Sequence, residues 1–294
     1  MGSRNTIKLS QSDAFINVII YTLATIALLI TLYPLYFVLI ASISDPTLVK
    51  SGQIFLIPKG LTLMGYEKVF EDARVWTGYR NTIFYVIAGS LISVMFTLGV
   101  AYSLSRKDFK FRNAIMILLV ITMFFSGGLI PTYLWIKRLG LYDTVWAMLV
   151  PFSINVFNVI VTRTFFQTSI PDGLLEASRI DGASDFLFFF KIVLPLSKPI
   201  ISVMTLYYAV GIWNGYFNAL IYLRSTELYP LQLILRSILI LNQVNVDSLT
   251  VEARNAIDLI KYAIIIVSTV PIMCIYPFIQ KYFTKGIMIG AIKG

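Results

Sequence analysis

The sequence predicts an all-α integral membrane protein with six transmembrane helices, and three observations carry that prediction. First, 57% of its 294 residues are hydrophobic and 13% are charged, where a soluble domain carries about 25% charged residues. That balance excludes an ordinary water-soluble enzyme. Second, the 24 Lys and Arg and 15 Asp and Glu leave six long charge-free windows, at 14–44, 81–105, 113–136, 144–162, 199–223 and 262–280. A spanning helix needs about 20 mostly apolar residues. Third, strand-length alternation of apolar and polar residues is absent, and packed helices are then the way to satisfy backbone groups in lipid.

The first window follows Arg4 and Lys8. It exceeds the apolar core of a secretory signal, about 7–15 residues, and lacks a small-residue cleavage site, so it reads as a retained helix. Met1-Gly2 with Thr6 formally matches a myristoylation pattern, but a lipid anchor is redundant beside six spans. An even number of spans puts both termini on one side. Segments on that side hold 13 basic and 6 acidic residues, against 11 and 9 opposite. Arg106, Lys107, Lys110 and Arg112 crowd a short turn of the kind that the positive-inside rule weighs most. Both termini are therefore expected in the cytoplasm of a multi-pass plasma-membrane protein. The basic excess suits anionic headgroups, and no nucleic-acid motif accompanies it.

Inventory removes several chemistries. There is no histidine, and the single cysteine, Cys274, falls in the sixth window. Nucleophile–His pairs, His-bearing metal sites and disulfides lack raw material. No G-x-x-x-x-G-K-[ST] loop is present to bind a nucleoside triphosphate. No acid lies in any window, so the spans supply no carboxylate for proton or ion coupling. A channel, a passive scaffold or a transporter driven by another subunit remains.

The loop at 163–198 is the longest on the cytoplasmic side. Ser169-Ile170-Pro171-Asp172 predicts a helix start, with Ser169 as cap, proline in the first turn and Asp172 near the positive end of the dipole. The helix should run through Glu176 and Arg179 and stop at Gly182. Asp185 then begins a second short helix carrying Phe186, Leu187, Phe188, Phe189 and Phe190, before Pro195 and Pro199 lead into span five. That apolar run is expected to pack on the chain's own spans.

Glu176-Ala177-Ser178, three residues, Gly182, nine residues, then Ile192-Val193-Leu194-Pro195 resembles, at full spacing, the E-A-A loop of permease subunits in binding-protein-dependent ABC importers. Ser178 stands in for the second alanine. Ile170-Pro171, the run Arg179-Ile180-Asp181-Gly182-Ala183-Ser184, and Trp213-Asn214 resemble the carbohydrate branch, specifically the second permease of the maltose-type system. So do 131–141 and 285–294. The resemblance implies a type I ABC importer permease fold. It also implies that Glu176, Ala177, Ser178, Asp181, Gly182, Leu194 and Pro195 form the coupling element that docks on a cytosolic ATPase. The tail at 283–294, with Gly290, Lys293 and Gly294, would reach between two copies of that ATPase. Implied partners are a homologous permease, the ATPase pair and an extracytoplasmic solute-binding protein. ATP and Mg would be held by the ATPase, with no cofactor, metal or catalytic residue in this chain. A solvated helix face, or a local pair with Arg179, is the plainer alternative for Glu176 and Asp181.

On span five, a 100-degree wheel gathers Tyr207, Tyr208, Gly211, Asn214, Gly215, Asn218 and Tyr222 on one face. Such a face can line a path for hydroxyl-rich cargo or pack helices closely, and both readings stay open. Span four adds Asn155, Asn158 and Thr162. In span three, Ser126-Gly127-Gly128 followed by Pro131 should bend or interrupt the helix. The outer segments are 45–80 and 224–261, and 231–241 reads as a helix lying on the membrane or against other spans. The run from Lys285 to Gly294 resembles permeases for polysaccharide-derived oligosaccharides, which makes oligosaccharide the implied cargo. A non-sugar importer permease, for glycerol phosphate, peptide or amino acid, is one alternative; a self-contained channel or secondary carrier is another.

Overall fold

The computed structural model describes residues 11–244 and 257–274, and every regular element among them is helical. The first eight helices are α1 (Gln11–Ser42), α2 (Pro46–Lys50), α3 (Met64–Glu71), α4 (Ala73–Ser105), α5 (Arg112–Phe124), α6 (Leu129–Arg138), α7 (Trp146–Leu149) and α8 (Val156–Ser169). After them come α9 (Asp172–Ile180) and α10 (Asp185–Phe188), a π-turn (Phe189–Val193), α11 (Leu194–Leu196), α12 (Lys198–Asn214), α13 (Phe217–Tyr222) and α14 (Leu231–Val244). The last described helix is α15 (Ile257–Cys274). The expected tail residues Gly290, Lys293 and Gly294, and the part of the outer loop at 245–256, lie outside the described residues.

The chain divides into two compact units, Met1–Glu71 with Asn242–Val267, and Asp72–Leu241 with Ser268–Gly294. In the first, α1 presents large apolar side chains such as Leu29, Ile30 and Leu35 outward, as a helix in lipid does. Asp45 caps α2 by accepting from the Thr47 and Leu48 amides at 2.8 and 3.3 Å. Those donors hold its carboxyl below the ordinary range, led by the Thr47 amide. Lys50 pairs with Asp258 of α15 at 2.7 Å. Gly65 of α3 meets the α15 backbone so closely that a Cβ there would lie 2.8 Å from the Leu259 carbonyl oxygen.

The second unit is built on α4, which starts before the predicted window and carries Arg74 and Arg80 in its first turns. Its buried face alternates small and apolar residues: Ser90, Ser93, Val94, Thr97, Leu98, Ala101 and Leu104. Small residues let helix backbones approach where lipid supplies no hydrophobic drive. Against them pack Val159 and Phe166 of α8, Phe188 of α10, Val193, and Ile200, Met204 and Tyr208 of α12.

Breaks depart from the windows in three places. α5 and α6 diverge by 116°. The chain opens at Phe125–Gly128, with Gly128 at φ 83, and Pro131 sits within the first turn of α6. Its missing N–H costs nothing there. The fourth window is not one helix. α7 ends at Leu149, Pro151 interrupts, and Asn155 starts α8 by accepting from the Asn158 amide at 3.2 Å. α8 then runs past Arg163 to Ser169, because the Arg163 guanidinium is satisfied by the free Leu104 carbonyl at the end of α4, 3.0 Å away. Span five breaks at extended Gly215, between α12 and α13.

The expected helix on 231–241 is α14, and it packs against α4. The Leu231 amide donates to Thr82 Oγ1 at 2.8 Å, and Asn81 Nδ2 donates to the Glu227 and Tyr229 carbonyls at 2.6 and 3.0 Å.

Gly65→Ala should destabilise the first unit by about 1–3 kcal/mol, since the obstructing atoms are backbone. A lowered thermal midpoint in detergent checks this, with Gly99→Ala, where a Cβ meets nothing within 4 Å, as the unchanged control.

Candidate coupling face and substrate pathway

The Glu176-Ala177-Ser178 motif folds as part of a nine-residue helix, α9, whose start corrects the sequence expectation. Ser169 ends α8, and Pro171 occupies the N-cap of α9 without a side-chain cap bond. Pro171 forces Ile170 into extended backbone (φ −115°, ψ 96°), which closes one helix and aims the next. The predicted stop holds. Gly182 sits at φ 77°, its amide donates to the Arg179 carbonyl and the Ala183 amide to the Ser178 carbonyl, at 3.1 and 2.9 Å. That pair of bonds is a Schellman cap, and the left-handed conformation is why glycine stands there.

One stripe of α9 rests on the body: Leu175 is half-buried and Ser178 is buried. Glu176, Ala177, Asp181 and Gly182 are exposed, and Ile180 is 86% exposed. A large apolar side chain standing in water beside two carboxylates makes an uncovered face of α9. The apolar run after Asp185 divides. Phe188 is buried in the core of the second unit, whereas Phe186 and Phe190 are 78% and 56% exposed. Packing on the chain's own spans therefore accounts for only part of the run, because a helix turns alternate residues outward. Of the remaining motif residues, Leu194 is half-buried and Pro195 exposed, ahead of an 80° bend into α12.

Ion pairs hold α9 at both ends to the turn between α4 and α5. Lys107 pairs with Asp172 in its first turn, and Asp108 with Arg179 in its last, the latter at 3.0 Å. Arg106 binds Asp108 at 2.6 Å, approaches Asp185 at 3.6 Å, and donates to the Tyr102 hydroxyl at 2.7 Å. The Arg106 guanidinium, with help from Arg179, holds the Asp108 carboxyl well below the usual carboxylate range. The Asp108 bond in turn raises Arg106. A depressed carboxyl contributes stability at neutral pH that is lost only as acid is added below the ordinary carboxylate range.

Within the second unit, a cavity of about 370 Å³ opens between α4, the α7–α8 connection, α8, α12 and α13. Six of the expected pathway residues line it: Asn155, Asn158, Tyr207, Tyr208, Gly211 and Asn218. The Tyr208 hydroxyl accepts from the Asn155 amide at 3.2 Å and shares a 2.6 Å hydrogen bond with Thr97. Two expected residues lie elsewhere. Asn214 is exposed and donates to the Val210 carbonyl of its own helix at 3.0 Å. Tyr222 is buried, its ring stacked with Phe152 and Tyr133. The wheel fails for Tyr222 because the helix breaks at Gly215, whereas Asn214, still within α12, turns its amide back onto its own helix. Thr162 is buried outside the cavity and its hydroxyl has no partner among the described residues. Gly89, Ser93 and Phe152 also line the space, and the sequence reading missed them. Gly89, Ser93 and Thr97 share one face at spacings of four, a signal that was present in the second window.

The cavity lining carries amides, phenols, aromatic rings and no charge. It can exchange hydrogen bonds with hydroxyl groups and stack on apolar ring faces. Comparison with known proteins decides the family. The model for the inner membrane component of binding-protein-dependent transport systems matches residues 7–289. The chain belongs to that family. It is therefore a multi-pass membrane component of such a transporter. It is 40% identical over 271 residues to Protein LplC of Bacillus subtilis (strain 168), covering 90% of each chain. It is 39% identical over 287 residues to the polygalacturonan/rhamnogalacturonan transport system permease protein YtcP of the same organism, covering 97% of this chain and all of that one (100%). Among solved structures, a chain from a bacterial ABC transporter involved in import of the acidic polysaccharide alginate superposes with a TM-score of 0.85. That pair shares 35% identity across 95% of this chain and 100% of the other.

Asp108→Asn should lower coupled transport about two- to fivefold, the worth of one or two exposed ion pairs, with normal subunit assembly; assayed ATP-driven uptake checks it. Leucine at Asn218, which lines the cavity, should depress uptake more than leucine at Asn214, which does not. Parallel uptake assays of the two single variants test that ordering.

Proposed function

We propose that this chain is one of two permease subunits of an ATP-driven importer of oligosaccharides released from polysaccharides, and that it forms half of the translocation path. Six membrane crossings, both termini in the cytoplasm, complete the proposed topology. α1, α4 and α15 serve as single long spans, and broken elements serve as the other three: α5 with α6, α7 with α8, and α12 with α13. Irregular backbone at membrane depth is tolerated where it lines a cavity, and Gly215 and Asn155 do line one. The relatives' cargoes, polygalacturonan or rhamnogalacturonan and alginate, support a polysaccharide-derived substrate.

The observation that carries the mechanism is α9: a capped helix, exposed on one face and pinned at both ends to the turn after α4. A chain without a nucleotide-binding loop needs an external engine, and a helix that moves as one body with α4 can transmit its stroke. Glu176, Ala177, Ser178, Asp181 and Gly182 would meet a cytosolic ATPase, present as two copies, each serving one permease. A solute-binding protein would deliver sugar from outside. ATP binding closes the ATPase pair, α9 follows, and the path opens outward. The engine shifts that equilibrium only by binding one state more tightly. This chain makes and breaks no covalent bond.

Gly182→Val places a β-branched residue at a φ of 77°, where only glycine is unstrained. It should dissociate or uncouple the ATPase while the spans remain folded. Co-purification in mild detergent and sugar-stimulated hydrolysis measure this; a fully coupled complex would overturn the lever.

A further inference from the structure

Arg236 is a half-buried cation on α14 whose partner among the described residues is a ring and no carboxylate. Its guanidinium carbon lies 4.7 Å from the centre of the Tyr216 ring. Among the described residues no acid reaches it within ion-pair distance and no hydrogen bond uses its N–H groups. By contrast, Arg106, Lys107 and Arg179 of the same unit are each paired with an aspartate. A guanidinium withdrawn partly from water with five unfilled donors costs stability unless a ligand or water fills them.

Its location supplies the ligand's address. Tyr216 follows Gly215 directly and precedes Asn218 by two residues, and both of those line the uncharged cavity. Through the Tyr216 ring, Arg236 is thus tied to the chain beside the break in span five. α14 is no loose loop. Leu233, Ile234 and Leu235, flanking Arg236, are buried, and a Cβ on Gly78 of α4 would lie 2.7 Å from Ile234. The cation is held in place before any cargo arrives, which reduces the ordering cost of binding.

Resting on the proposed import of oligosaccharides, we infer that Arg236 is a specificity-determining site for the carboxylate of uronic acid residues. A uronate presents an apolar ring face, hydroxyl groups and one ionised carboxylate. The planar guanidinium fork matches a carboxylate with two parallel N–H···O bonds. The half-exposed Tyr216 ring and the Asn218 amide suit the sugar face and its hydroxyls. Arg236 supplies the counter-ion that the cavity itself lacks, so acidic oligosaccharides are favoured over neutral ones.

The test uses the complete transporter with its binding protein, reconstituted in liposomes, and follows uptake of a galacturonate trisaccharide and of its carboxyl-reduced neutral counterpart. R236Q should lower uronate uptake about tenfold or more, the loss typical of a charge-assisted hydrogen bond. Neutral uptake should stay within about twofold, and R236K should retain part of the uronate signal because it keeps the charge without the fork. Equal loss of both sugars would mean that Arg236 only braces Tyr216, and unchanged uronate uptake would remove it from recognition; either result overturns the inference. Should the unmodified transporter refuse neutral sugar altogether, unequal uronate uptake by R236K and R236Q still supports the charge role, and equal uptake overturns it. Failure of the unmodified transporter to accumulate any oligosaccharide would instead overturn the proposed function on which the inference rests.

Discussion

Close approach of α8 and α12 to the small-residue face of α4 is the contact on which the rest depends. Ser93, Thr97 and Ala101 offer little side-chain bulk, so the neighbouring backbones come near enough for Val159, Met204 and Tyr208 to interlock over them. In lipid this packing replaces the hydrophobic drive available to a soluble core. The same face that joins the helices also carries Gly89 and Ser93 into the cavity. Core and pathway share one surface of one helix.

α4 also links the α9 face and the cavity. At its C-terminal end, Tyr102 and the following turn grip Arg106, which holds Asp108, which holds Arg179 of α9. Further along the helix, Thr97 holds the Tyr208 hydroxyl, and Tyr208 holds the start of α8 at Asn155. These are exposed, screened pairs at one end and buried hydroxyl bonds at the other. The N-terminal half is fixed in a third way, by Asn81 and Tyr85 donating to the backbone carbonyls of 227–229. A displacement of α9 therefore acts on a rod whose far contacts are already made.

Breaks in the spans follow the same economy. Gly128, Pro151 with Asn155, and Gly215 each free backbone groups that hydrocarbon would leave unpaired. At Asn155 the freed amide is received by the Tyr208 hydroxyl, so the interruption faces protein and cavity. Uncharged polar residues gather there, and no charged side chain is among the residues that line the cavity.

Much of the fold was legible in the amino-acid order, since composition and charge spacing alone point to helices in lipid. The Glu176 to Pro195 spacing marked the candidate coupling segment, and Gly182 marked the end of α9, because local backbone chemistry suffices there. What only the tertiary structure decided were properties that join distant residues. Arg163 did not end α8 since a carbonyl of α4 was waiting for it, and Tyr222 left the expected face when the chain opened at Gly215. The pairing of Asp108 with Arg179 and of Arg236 with Tyr216 likewise arises only when separate helices meet. A one-dimensional pattern fixes which side chains are apolar and how a helix caps itself; it does not say which neighbour will satisfy a charge or a freed amide.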